Sequence, residues 1–295
     1  MQLERLAPAK VNLFLHVGPL GEDGYHPICS LVTFADKGDL VRLRVGKDDG
    51  FRIEGPFAEA LPAGGDNLVA RARDLCLAGR PGAPPGLFLT LDKRLPVASG
   101  VGGGSSDAAA TLVLMQQALG LDWLKGDDPL VGLALQLGSD VPMCLYPEPT
   151  LASARGEMLD FPPVFPDLDA VLVNPGLPVS TGAVFRAFDA FDLERSADEP
   201  AWPAPMETPQ ALCAFLQTCR NDLEAPAISL QPAIAEVLRA LRERPETLFA
   251  RMSGSGATCF AICANRRGRE DLAFSLAAAH PTWWVQSCRL AGFRP

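Results

Sequence analysis

Between Leu95 and Leu112 the chain reads LPVASGVGGGSSDAAATL. Gly100, Gly102, Gly103 and Gly104 are interleaved with Ser99, Ser105 and Ser106 before Asp107 closes the run. A backbone without Cβ atoms can approach a large polyanion closely. The alanine-rich stretch after Asp107 runs as a helix former to Gly120. The unpaired N–H groups and the positive dipole end of that helix would point where the glycines allow close approach. The combination predicts a phosphate cradle and hence nucleotide chemistry. It is neither of the two commonest phosphate loops. A Walker A loop needs a lysine that is missing here, and in a G-x-G-x-x-G count from Gly100 the sixth position is Ser105. The competing reading is a flexible Gly/Ser surface loop. Pro96 at its start and the defined helix at its end weigh against that.

Several other residues carry candidate chemistry. Asp140 lies in LGSDVPM, just after a helix-stopping Gly138. Its spacing suits either a helix N-cap or a working carboxylate. Lys10 sits in a stretch where Val11, Leu13, Leu15 and Val17 alternate with Lys10, Asn12, Phe14 and His16. Period two predicts a half-buried strand with Lys10 and Asn12 on one face. A lysine there needs an anionic partner. Tyr25 and His26 follow Gly24, as in a surface turn, and Gly254 and Gly256 make a second glycine turn in MSGSGATCF. None of the eight cysteines forms a C-x-x-C pair and there are only three histidines, so a zinc site is not expected. The thiols read as buried and free, in a reducing compartment.

The elements that must position these residues follow from periodicity and turn signals. Strands are expected at Leu40 to Val45, Leu87 to Leu91, Asp169 to Asn174, Thr258 to Ala264 and Trp283 to Arg289. Helices are expected at Leu68 to Leu77, Pro129 to Leu137, Pro209 to Thr218, Pro232 to Arg242 and Glu270 to Ala279. The texture changes after about Pro147, and a few strands with packed helices then suggest a ferredoxin-like α+β lobe. Asp192 to Pro209 is acidic, proline-rich and nonperiodic, as in a surface insertion or mobile loop. At 295 residues and 48% hydrophobic the chain suits two lobes with buried interiors. A net charge of −9 disfavours a general nucleic-acid surface. No apolar run reaches the roughly 18 residues that span a bilayer. The first residues, MQLERLAPAK, have no signal-peptide core, and a cytoplasmic protein is expected.

The pattern P-x-x-S-G-x-G-G-G-S-S-D-A-A, from Pro96 to Ala109, resembles the signature loop of the GHMP kinase superfamily. PAKVNLFLHV (Pro8 to Val17), GYH (Gly24 to His26), DNLVARA (Asp66 to Ala72) and LGSDVP (Leu137 to Pro142) extend the likeness. So do NPGLPVSTGAVF (Asn174 to Phe185), NDLE (Asn221 to Glu224) and MSGSGATCFAI (Met252 to Ile262). In this order they are similar to the superfamily members that phosphorylate a cytidine diphosphate-linked sugar alcohol. The resemblance implies a two-lobed α+β fold, with a ribosomal-protein-S5-like ATP-binding domain over residues 1–150 and a ferredoxin-like domain over residues 151–295. Asp192 to Pro209 and the segment between Gly50 and Gly65 match none of the family's motifs.

The same resemblance implies site residues. Pro96, Val97, Ala98, Ser99, Gly100, Val101, Gly102, Gly103, Gly104, Ser105 and Ser106 would hold ATP, and Asn67 would lie near its adenine, although Asn67 also fits a helix cap. Asp140 would take or orient the proton of the substrate hydroxyl, and Lys10 would pair with it and stabilise the transferring charge. Tyr25 and His26 would clasp a cytosine, one by stacking and one by hydrogen bonding, with Phe185 as the opposing surface. Thr181 and Asn12 would contact the sugar-alcohol and diphosphate portion. The second glycine turn would pack on the first loop or touch substrate. Mg2+ would accompany ATP without a dedicated acidic cluster, with Ser106 as its candidate protein contact. The implied partners are ATP and this small molecule, with no nucleic acid or membrane. The implied reaction is 2-hydroxyl phosphorylation in non-mevalonate isoprenoid precursor synthesis. Homoserine or a mevalonate derivative would be the acceptor in the nearest rival kinases, and a nucleotide-binding protein without catalysis is the rival of another class.

Overall fold

The computed structural model describes residues 1–61, 67–78, 80, 82–121, 128–162, 164–191, 196–201 and 206–291. The first half runs β1 (Gln2–Asn12), β2 (His16–Val17), β3 (Ile28–Gly46), β4 (Gly50–Glu54), α1 (Leu68–Leu77), β5 (Gly86–Asp92), α2 (Gly103–Leu119), α3 (Pro129–Leu137) and α4 (Val141–Leu145). The second half runs β6 (Thr150–Ala154), β7 (Met158–Asp160), β8 (Leu168–Asn174), α5 (Thr181–Ala190), α6 (Pro209–Leu216), α7 (Glu224–Leu230), α8 (Ala233–Arg242), β9 (Thr247–Met252), β10 (Cys259–Cys263), α9 (Arg266–Ala279) and β11 (Trp284–Ala291). The expected Asp192 to Pro209 insertion lies partly outside the described residues, as does Asp66 at the head of DNLVARA.

The chain forms two compact units, and they are interleaved. The first comprises Met1–Ala9, Gly38–Val97 and Gly102–Pro147, and the second Lys10–Lys37, Ala98–Val101 and Glu148–Pro295. A single boundary near residue 150 therefore describes only the last crossing. The reason is β3, a strand of 19 residues whose two ends bond different partners. Its Leu40–Gly46 end pairs antiparallel with β5, from Leu40↔Asp92 to Gly46↔Gly86. Its Ile28–Val32 end pairs with β6, from Ile28↔Ala154 to Val32↔Thr150. A strand's period says which face is buried, but not where its ladder changes partner.

In the first unit β5 also takes β4 as a parallel neighbour. Leu87, Leu89 and Leu91 of β5 are buried while Phe88 and Thr90 are only half-buried, the alternation expected of a strand with one core face. Leu112 and Met115 of α2 join that core. Helix α2 begins at Gly103, five residues before the alanine run, with Gly102 as its N-cap in the left-handed region (φ 60°). Gly103 and Gly104 thus open the first helical turn, with Gly102 as its cap.

The second unit is built on the antiparallel ladder β11–β8–β10–β9, with registers Val285↔Val173, Cys259↔Val173 and Cys259↔Met252. Ile234, Val237, Leu238 and Leu241 of α8 and Leu272 and Leu276 of α9 pack in its core with Phe188 of α5. The helical spacing of those α8 residues is the stripe visible in sequence. This is the ferredoxin-like arrangement expected there. The period-two reading of Lys10 to Val17 needs correcting. β1 ends at Asn12 and β2 holds only His16 and Val17. Both faces of the stretch are buried, Lys10 and Asn12 included. Its backbone leaves the ladder to bond singly, Leu13 N–H to Leu31 O and Leu15 N–H to Arg220 O.

All eight cysteines are free and buried. Burial pushes the thiols of Cys29, Cys76 and Cys263 up to about 12 and that of Cys213 to about 11. Among the described residues no helix is long and apolar enough to cross a membrane. The thiol chemistry has a direct check. Native protein at pH 8 should react with Ellman's reagent only after denaturant is added, and rapid labelling of the folded protein would contradict this packing.

Candidate active site

Within the second unit, Ala98–Val101 is stitched to three separated parts of the chain. The Lys10 N–H donates to the Val101 carbonyl (2.8 Å), the Thr258 N–H to that of Ser99 (3.0 Å) and the Val179 N–H to that of Ala98 (3.2 Å). Ser253 Oγ donates to the Gly100 carbonyl (3.0 Å) and accepts from the Asn12 N–H (3.1 Å). Gly100 has φ +75°, and a Cβ there would lie 2.5 Å from Ser253 O and 2.8 Å from Gly256 N. Only glycine fits. The second glycine turn therefore packs on the first loop, one of the two expected alternatives. Thr181, at the start of α5, reaches the same turn through Ser255 Oγ (2.9 Å). Asn12 Nδ2 donates to Ser30 Oγ (2.8 Å).

In the first unit, α2 presents its first turn with no side-chain cap. Its leading N–H groups suit an anion, and a nucleotide phosphate fits that chemistry. Ser106, expected as a protein contact for Mg2+, is anchored within the first unit. Its hydroxyl is buried and donates to the Pro8 carbonyl (2.7 Å). Among the described residues no cluster of three or more His, Cys, Asp or Glu side chains forms a metal site. Asn67 behaves as a helix cap, its Oδ1 accepting from the Val69 N–H (2.9 Å). Asp140 does the opposite. It occupies the N-cap position of α4, yet its side chain makes no capping bond. Lys10 belongs to the second unit and Asp140 to the first.

Sequence reasoning missed an ionic cluster directly under the first turn of α2. Lys93 Nζ bonds Asp107 (2.8 Å) and Asp39 (2.5 Å), and Asp39 Oδ1 also accepts from the N–H groups of Arg94 and Leu95. A Cβ on Gly103 would come within 3.0 Å of Lys93 Nζ, so the ammonium is seated where a side chain would have been. Asp107 Oδ1 is buried without a partner. Burial pushes the Asp107 carboxyl up, Lys93 draws it down and Asp39 pushes it up again, leaving it at about 8. Burial opposes the Lys93 charge, but the two carboxylates outweigh it and hold the ammonium above the ordinary lysine range. The available signal was the charged run Asp92-Lys93-Arg94 between the expected strand Leu87 to Leu91 and the glycine loop.

Of the three residues expected around a base, two lie together. His26 stacks on Phe185 (ring centroids 5.4 Å apart, planes at 28°). The Gly18 carbonyl can only accept, so His26 Nδ1 carries a hydrogen and donates to it (2.9 Å), while Nε2 faces Asp189 at 3.5 Å. Phe185, expected as the opposing surface to Tyr25 and His26, is packed on the histidine itself. Tyr25 stands apart and exposed, with the Arg155 guanidinium 4.5 Å over its ring.

The sequence patterns of two domains match the chain, the GHMP kinases N terminal domain over residues 67–148 and the GHMP kinases C terminal domain over residues 209–282. A solved structure of a 4-(cytidine 5'-diphospho)-2C-methyl-D-erythritol kinase superposes with a TM-score of 0.75 at 33% identity, covering 99% of this chain and 100% of that one. A mevalonate kinase structure shares the fold at a TM-score of 0.64 and 12% identity, covering 99% of this chain and 100% of that one. The 4-diphosphocytidyl-2-C-methyl-D-erythritol kinase of Caulobacter vibrioides is 50% identical over 99% of this chain and 100% of its own. That of Ruegeria pomeroyi is 46% identical over 98% and 100%. The chain belongs to the GHMP kinases, in the family of the 4-diphosphocytidyl-2-C-methyl-D-erythritol kinases.

The Asp107 cluster sets a pH dependence. A carboxyl that titrates at about 8 when folded, and near its ordinary value unfolded, keeps its proton in the folded state between those limits. Its contribution to stability is fully present below about pH 4 and is lost as pH rises through about 8. Asp107→Asn cannot ionise. In chemical denaturation its stability relative to the native sequence should rise from pH 5 to about pH 8 and level off towards pH 9. A constant difference across that range would contradict the assignment.

Proposed function

We propose that this chain transfers the γ-phosphoryl group of ATP to the 2-hydroxyl of 4-diphosphocytidyl-2-C-methyl-D-erythritol, giving the 2-phosphate and ADP. The observation that carries the reading is the convergence of Lys10, Asn12, Thr181 and both glycine turns through Ser253, Ser255 and Gly100. The comparisons support it, because the relatives bear the name of this kinase along their whole lengths.

Each residue then has a role. Pro96 to Ser106 and the uncapped first turn of α2 hold the phosphates, and Asn67, beside its capping bond, borders the adenine. Residues 1–150 supply the nucleotide side and residues 151–295 the second domain, with Lys10–Lys37 folded into the latter's compact unit. The Asp140 carboxylate accepts the 2-hydroxyl proton as the oxygen attacks the γ-phosphorus and the bond to the ADP oxygen breaks. The buried Lys10 ammonium stabilises the charge that develops on the transferred group. The phosphates of ATP, with Ser106 as the candidate protein contact, would hold Mg2+, which would supply charge neutralisation there. Thr181 and Asn12 orient the sugar alcohol and diphosphate, while Tyr25, His26 and Phe185 select the cytosine. Eight buried thiols suit a cytoplasmic enzyme supplying isoprenoid precursors by the non-mevalonate route.

The test is transfer from labelled ATP to the cytidine substrate, homoserine and mevalonate in parallel. Only the first should be labelled, and labelling of another alcohol would overturn the substrate. Asp140→Asn should lower kcat by about 10³-fold with ATP binding nearly unchanged. Full turnover in that variant would remove Asp140 from the chemistry.

A further inference from the structure

We infer that Arg155 is a positioning residue for Tyr25, holding its ring ready for the nucleoside and so setting affinity for that substrate. The inference rests on the reading of Tyr25 as a base-stacking residue. Arg155 lies in the turn between β6 and β7, whose register against β3 is fixed by Ser153↔Cys29 and Ala154↔Ile28. The turn is tied by Gly156 N–H to Ser153 O (2.9 Å) and by Arg155 N–H to Glu157 Oε2 (2.8 Å). From there the guanidinium covers one face of the Tyr25 ring at 4.5 Å and pairs with the Asp23 carboxylate. The other oxygen of Asp23 accepts from the Tyr25 N–H (3.0 Å).

One carboxylate thus ties the backbone of Tyr25 to the cation that lies on its ring. The closed arrangement fixes both the position of the tyrosine and the tilt of its ring. Tyr25 is still 59% exposed with the guanidinium in place, so the rest of the ring is open to a planar partner. A free tyrosine at a surface turn would have to be ordered on binding, and pre-ordering it removes that cost. Arginine suits the place because its flat, weakly hydrated cation stacks and bonds a carboxylate at once, which a lysine does less well.

The test is steady-state kinetics of the full chain with each substrate varied in turn. Arg155→Ala should raise KM for the cytidine substrate about fivefold, with kcat and the KM for ATP within about twofold. Arg155→Lys, which keeps the charge and loses the fork, should fall between, and Asp23→Asn should shift the same KM in the same direction. Tyr25→Ala separates the two levels of the argument. If it raises that KM and Arg155→Ala does not, the positioning role is wrong while the stacking role stands. If Tyr25→Ala leaves KM unchanged, the stacking role fails and this inference with it. Equal losses in kcat and in both KM values for Arg155→Ala would indicate general damage to the fold and would also overturn it.

Discussion

The close approach of two backbone segments at Gly100 is the constraint on which the site depends. The Ala98–Val101 segment and the 253–256 turn meet with no room for a Cβ. Every neighbouring bond follows from that contact. Ser253 bridges the Gly100 carbonyl and the Asn12 N–H, Val101 fixes Lys10 through its amide, and Ser255 meets Thr181. A lysine buried near the end of β1 is thereby held against the first loop, and a threonine opening a distant helix against the second turn. Glycine richness at the loop therefore answers two needs. Gly100 permits protein to approach protein, and Gly102 and Gly103 permit the helix start and the seat of Lys93.

The second physical theme is buried charge. The cluster of Asp39, Lys93 and Asp107 holds one cation and two acids away from water. Such an arrangement is tolerable if one acid keeps its proton, and Asp107 is the one that does. The cluster supports the first turn of α2 from below, so the residues that present N–H groups rest on a fixed charge. In the second unit, His26 and Phe185 pair through stacking, with the histidine tautomer set by the Gly18 carbonyl.

Much of this was legible in the chain. Helices α1, α3 and α8 and strands β5, β8 and β10 follow from periods of 3.6 and 2 with clear stops, and the structure places them within a few residues. The loop signature and the order of the shorter motifs led to the family. The failures have particular causes. The alternation around Lys10 gave a strand, but burial of both faces depends on partners far along the chain, such as Leu31 and Arg220. The interleaving of units turns on β3 changing partners midway, a tertiary fact without a local code. The bond from the Ser106 hydroxyl to the Pro8 carbonyl likewise joins residues 98 apart in sequence. The Lys93 cluster escaped because its members are separated by 14 and 54 residues, and charge pairing over such distances is set by the fold.

The most direct test of the central claim compares two glycines that share a positive φ but not their surroundings. Gly100 (φ +75°) is closed in by Ser253 and Gly256, whereas Gly82 (φ +82°) has nothing within 4 Å of a would-be Cβ. Alanine at Gly82 should cost about 1 kcal/mol of stability and leave phosphoryl transfer intact. Alanine at Gly100 should cut kcat/KM for transfer to the cytidine substrate by about 100-fold or more, because a misplacement of about 1 Å at the site is that costly. Equal activity of the two variants would contradict the account.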